Sequence, residues 1–209
     1  MIIMPSDGLT FRLGVLFGRF PGRLGNFHNC DFPKQPHPEF PWALDNGVFG
    51  AHKNNQAWDE TNFYAFLDKY MCMGPSWVVV PDAYGDRDMT LRRWDSHYPR
   101  LKALNPRMGL AIAVQDGMTP DDVPDEADIV FIGGSTEWKW RHLNMWTEAF
   151  DRVHVGRVNT PRMLRISEDA GAESCDGTGW FRSPQRTKQL EQYLEGKDYE
   201  QPELSEISE

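Results

Sequence analysis

The sequence predicts an α/β protein, a compact (β/α)8 TIM-barrel-like fold, trimmed if it is not complete. Two observations lead there. Short apolar runs such as "WVVVP", "LAIAV" and "IVFIG" recur along the 209 residues, and stretches with helical spacing separate most of them. Strands buried on both faces and joined by helices belong to parallel sheets, closed into a barrel or open and doubly wound. The chain has neither a G-x-G-x-x-G fingerprint nor a Walker loop, which weakens the nucleotide-binding open sheets and leaves the barrel as the better reading.

In chain order, "FRLGVLFG" (Phe11 to Gly18) reads as the first strand, followed by a Gly/Pro/Asn-rich loop to Pro41. "PWALDNG" is the second strand with its turn. "WDETNFYAFLDKYM" places Phe63, Phe66, Leu67 and Tyr70 on one helical side, with Asp59 or Thr61 as its cap. "WVVVPD" is a buried strand. "MTLRRWDSHYPRLKAL" is a helix expected to break or kink near Pro99. "MGLAIAVQDG" and "ADIVFIGGS" are strands, "EWKWRHLNMWTEAF" a helix and "RVHVGRV" a strand. "TPRMLRISEDAG" is a helix opened by Thr160 with Pro161 in its first turn. "AESCDGTG" is a last strand, making about seven, and "SPQRTKQLEQYLEG" a final helix.

Composition sets the outer limits. The hydrophobic fraction of 40% suits a globular chain, expected to form one domain over residues 1–193. Nothing approaches a membrane-spanning run or a signal segment, so a cytoplasmic protein is expected, in the host cytoplasm if a phage encodes it. Three cysteines, Cys30, Cys72 and Cys175, form no CxxC pair and predict no metal site. Net charge is −9, but residues 194–209 alone carry six acids and one lysine and read as a disordered acidic tail. From Arg152 to Leu190 seven Lys/Arg stand against four Asp/Glu, a local excess that permits phosphate contacts.

The strand ends carry the chemistry. In a barrel, reactive groups gather at the C-terminal ends of strands. Here those ends bear Asp45, Asp82, Gln115, the pair Gly133–Gly134 and Asp176. Each taken alone also reads as a helix cap or a turn residue; together they place three carboxylates and an amide at one end. Two carboxylates about a sugar suit displacement at an anomeric carbon, one attacking and the other moving a proton. A third carboxylate with a carboxamide suits a purine edge, a Gly-Gly turn offers close backbone donors, and Phe49 offers a stacking face. Arg157, at a late strand end, is a candidate phosphate contact, whereas His154 reads as a satisfied barrel residue.

The ordered motifs "LDNGVFG", "VVVPDAYGD", "LAIAVQDG", "IVFIGGS", "VHVGRVNTPRML" and "AESCDGTG" resemble the guanine transglycosylases, over about Trp42 to Asp176. That family comprises the tRNA-guanine (queuine) enzymes and the DNA-acting deoxypurine-in-DNA protein A group. The resemblance implies a TIM barrel that exchanges guanine for a 7-deazaguanine such as preQ0 through a covalent sugar–enzyme intermediate. It implies Asp176 as nucleophile, Asp45 as general acid/base, and Phe49, Asp82, Gln115, Gly133 and Gly134 around the base, with no cofactor. Departures exist. Asn46 and Val48 replace a serine and a glycine, Asp82 lacks its usual acidic neighbour, Asp116 intervenes before Gly117, and the motif around Asp176 is altered. The tRNA enzymes' zinc site of three cysteines and a histidine has no counterpart after Cys175, which favours DNA over tRNA as partner. A homo-oligomer or a partner protein would complete the nucleic-acid surface. The competing expectations are a hydrolase acting on a free nucleoside or glycoside, and a non-catalytic nucleic-acid-binding barrel.

Overall fold

A computed structural model describes residues 1–6, 10–31 and 34–197. Residues 198–209, most of the segment read as an acidic tail, lie outside the described residues. Eight parallel strands form one sheet, β1 (Ile2–Pro5), β2 (Asn26–Asn29), β3 (Trp42–Asp45), β4 (Trp77–Val79), β5 (Gly109–Val114), β6 (Ile129–Ile132), β7 (Val153–Val155) and β8 (Ser174–Gly177). Their order, β1-β8-β7-β6-β5-β4-β3-β2, brings the first two strands together at the seam. There the Ile3–Leu24 bridge, Gly25 N–H donating to the Ile3 carbonyl at 2.9 Å, and Asn26 Nδ2 donating to the Pro5 carbonyl at 2.7 Å nearly close the barrel. A side chain at Gly25 would come within 2.7 Å of the Pro41 carbonyl oxygen, so the seam needs glycine there.

Strand residues alternate between two environments, as the two-residue period requires. Met4, Phe27, Ala43, Trp77, Val79, Ala111, Ala113 and Ile129 fill the barrel interior. Their neighbours, among them Ile3, Leu44, Val78, Leu110, Val130 and Cys175, face the surrounding helices. Those helices are α1 (Phe11–Arg19), α2 (Val48–Lys53), α3 (Glu60–Tyr70), α4 (Arg87–Leu104), α5 (Thr136–Ala149), α6 (Pro161–Asp169) and α7 (Pro184–Leu194). The α3 helix is capped by Asp59, whose side chain accepts from Asn62 N–H at 3.0 Å, and α6 by Thr160 with Pro161 following, as the sequence predicts.

Three expectations are corrected. "FRLGVLFG" is not a strand but α1. Thr10 caps it, accepting from Leu13 N–H at 3.1 Å, and Leu13 and Leu16 are buried at helical spacing. The alternation of Phe11, Leu13 and Val15 misleads because Phe11 is 88% exposed. The first two strands are instead "IIMP" and "NFHN", the second inside what reads as a loop. Third, α4 runs unbroken through Pro99. Both Pro99 and Asp95, whose carbonyl loses its N–H partner, are exposed, so water can satisfy that oxygen while Trp94, His97 and Leu101 anchor the buried face.

Candidate active site at the strand ends

Asp45 ends β3 and is paired in register with Asn29 at the end of β2, whose Nδ2 donates to Asp45 Oδ2 at 3.0 Å. The following Asn46–Gly47 pair is more than a turn. Asn46 is buried; its Nδ2 donates to the Val80 carbonyl at 3.0 Å and to Asp82 Oδ1 at 2.9 Å, while its Oδ1 accepts from Val48 N–H at 2.9 Å. Gly47 has φ 81°, a left-handed conformation in which a side chain would crowd Cys30 Sγ at 3.1 Å. The turn therefore starts α2, which carries Phe49, and ties the ends of β3 and β4 together.

Asp82, just past β4, also accepts from Gln115 Nε2 at 2.7 Å. Gln115 is spent on that bond, on the Ala113 carbonyl at 3.2 Å, and on accepting from Gly85 N–H at 3.0 Å. It orients Asp82 rather than standing open to a ligand. Burial pushes Asp82 up to about 6, against the hydrogen bonds from Asn46 and Gln115 and the nearby Arg93 charge. Asp45 keeps partial contact with solvent, yet burial first, then the charges of Asp176 and Asp82, push its carboxyl up to about 7.

Asp176 lies across the mouth on β8. Its Oδ1 accepts from His154 Nε2 and from the Arg157 N–H, both at 3.2 Å, and Ser6 Oγ stands 3.5 Å from Oδ2. His154 is wholly buried in the barrel interior, its ring 4.8 Å from Trp77 and stacked 5.0 Å from Phe131. Nδ1 is 2.8 Å from Ser174 Oγ. A carboxylate can only accept, so Nε2 is the donor to Asp176, and Nδ1 shares its hydrogen bond with Ser174 Oγ. The sequence reading of His154 as a satisfied barrel residue holds, but its satisfaction includes the candidate nucleophile. Gly177 follows because a Cβ there would collide with the Val158 carbonyl.

Gly133 and Gly134 end β6 beside this group. Gly133 N–H is committed to the Val114 carbonyl at 3.2 Å, so it is not a free donor. Gly134 has φ 59°, and a Cβ there would approach Asp116 Oδ1 to 2.5 Å. The inserted Asp116 has a use: it accepts from Ser135 N–H and Oγ, each at 2.6 Å, joining the loops after β5 and β6. The Arg157 guanidinium donates to the Gly133 and Gly134 carbonyls and lies 4.8 Å above the Phe49 ring. Phe49 is 37% exposed and meets Tyr84 edge-on at 5.0 Å. As a phosphate contact Arg157 is thus already engaged; it bridges the glycine turn to the aromatic face.

All eight sequence-selected residues fall at one end of the barrel. Sequence reasoning misses Asn46, Asn29 and Ser174 as site residues, since an asparagine in a turn or strand end and a serine in a strand carry no distinctive signal. An open groove of about 420 Å³ between Phe11, Val15, His37 and Phe40 includes none of the carboxylates. Among the described residues no helix is long and apolar enough to cross a membrane. Comparison with protein-family models and with curated proteins finds no match.

Proposed function

We propose that the protein is a base-exchanging pentosyltransferase that replaces guanine in a polynucleotide, DNA in preference to tRNA, with a 7-deazaguanine such as preQ0. One observation carries this reading: carboxylates at the same barrel mouth are held in opposite ways, Asp176 by two donors on one oxygen and Asp45 pushed up to about 7. Environments that separate two carboxylates are how one site supplies both a nucleophile and an acid/base.

Asp176 Oδ2 attacks C1′ of the nucleotide, the C1′–N9 bond breaks, and its electron pair leaves with the guanine. Asp45, protonated for this half, delivers the proton that makes the leaving base neutral. In the second half Asp45 takes the N9 proton of the incoming 7-deazaguanine, whose N9 attacks C1′ and returns the carboxylate of Asp176. Two displacements at one carbon retain its configuration. Asp82, braced by Asn46 and Gln115, has lone pairs suited to the N–H edge of a guanine-like base. Phe49 and Tyr84 supply aromatic surface beside it.

Mass spectrometry of nucleosides from DNA and, separately, tRNA of cells expressing the protein with a preQ0 supply tests the reading. A 7-deazaguanine nucleoside in DNA that is lost with Asp176→Ala is the expected result. Modification confined to tRNA would keep the chemistry and change the substrate. Release of free guanine without replacement would make the protein a hydrolase. No change in either pool, with purified protein and both partners supplied, would overturn the proposal.

A further inference from the structure

Lys139, the fourth residue of α5, is only 1% exposed. Burying an ammonium is costly, and burial together with the nearby Arg157 charge pushes Lys139 down to about 8. Its direct hydrogen-bond partner is a backbone oxygen: Nζ donates to the Gly156 carbonyl and lies 4.9 Å from the Trp140 ring centre. A position needed only for packing would be better filled by an apolar side chain of the same length.

The Gly156 carbonyl and the Arg157 N–H belong to one rigid, planar peptide unit. With its oxygen drawn to Lys139, that peptide points its N–H the opposite way, at Asp176 Oδ1. Both hydrogen bonds polarise the amide in the same sense. Arg157 holds φ 59°, a left-handed conformation that a residue with a side chain keeps only when its surroundings impose it. On the other side, a Cβ at Gly156 would come within 2.9 Å of the Phe131 ring, so the peptide sits flush against the barrel wall.

We propose that Lys139 is a positioning residue that locks the Gly156–Arg157 peptide with its N–H toward Asp176, so that Oδ1 is the bound oxygen and Oδ2 the one presented to C1′. The catalytic part rests on the nucleophile assignment above; the backbone lock does not. Were the peptide to turn over, a carbonyl oxygen would face the carboxylate, and Oδ1 would keep His154 but lose the second donor that fixes its orientation.

The test is Lys139→Met, which keeps length and removes the donor and charge. Two readouts are taken on the full chain: the Arg157 amide proton shift by NMR, and kcat and KM for exchange of guanine by preQ0. In the wild type the Arg157 proton should lie downfield of its position in Asp176→Ala, which removes the acceptor. Lys139→Met should move it upfield and lower kcat about 10- to 100-fold, with KM for preQ0 changed less than about threefold. Lys139→Gln, which keeps an N–H donor, should restore most of both. An unchanged amide shift and unchanged kcat in a folded Lys139→Met would overturn the proposal. If that variant does not fold, the wild type decides: an Arg157 proton identical in wild type and Asp176→Ala, which has no acceptor, overturns it equally. A wild type that exchanges no base sinks the nucleophile assignment alone, because the amide comparison still reports the lock.

Discussion

The two sides of the barrel mouth treat a carboxylate differently. On the β7–β8 side Asp176 meets donors arranged on one oxygen: an imidazole held from below by Ser174 and a peptide N–H held from behind by Lys139. On the β3–β4 side Asp45 has the Asn29 amide, and burial first, then the charges of Asp176 and Asp82, push its carboxyl up to about 7. The difference teaches how one cavity can hold two carboxylates unlike each other: donors converge on one oxygen of Asp176, while burial and neighbouring charges favour a proton on Asp45.

The largest effect should come from breaking the β8 side. Asp176→Asn keeps the shape and can still accept from His154 and Arg157, but removes the proposed nucleophile; under the proposed function exchange should fall by about 10⁴-fold or more, and no covalent sugar–protein adduct should appear on denaturing gels. Asp45→Asn should lower exchange by about 10²- to 10⁴-fold while a slow adduct still forms, because proton transfer and attack are then separate duties. If both variants behave alike, the division of labour fails.

His154→Phe sharpens the comparison. The ring lies among Phe27, Trp77 and Phe131, and the variant removes both the donor to Asp176 and the buried partner of Ser174; exchange should drop about tenfold, with a stability loss of about 1–3 kcal/mol. A drop in stability without a rate effect would make His154 a packing residue.

The smallest effect is one of stability. Asp45 has its affinity for protons raised by folding, so the folded state binds more protons than the unfolded chain between the ordinary carboxylate range and about 7. Stability from this group is present at low pH and is lost as pH rises through about 7. Asp45→Asn should therefore unfold at a higher temperature than the wild type at pH 8, with the advantage shrinking toward pH 4. An advantage independent of pH would show that Asp45 is not the strained group.

Much of this was legible beforehand, for identifiable reasons. "WVVV", "LAIAV" and "IVFI" are apolar on both faces because a barrel strand packs inward on its interior and outward on helices. A polar residue that closes such a run stands at the mouth, which makes Asp45, Asp82 and Gln115 legible; Asp176, in "AESCDGTG", follows no such run and is placed by the order of the motifs. "IIMP" and "NFHN" were not, since four residues are too few to show a period and the polar Asn26 serves the seam rather than a surface. Helix α1 reads as a strand because its glycines weaken the helical signal and its aromatics favour a strand, whereas Leu13 and Leu16 are bound to a core formed by distant residues.

What the sequence determined by itself is the alternating α/β order and the residue types at the strand ends, because periodicity and turn chemistry act over a few neighbours. What only the tertiary structure decided is which carboxylate keeps its proton and which is held by donors. His154 and the Arg157 peptide reach Asp176 across 22 and 19 positions of chain, with Lys139 behind that peptide, and burial, the force that pushes Asp45 up to about 7, exists only once the barrel closes.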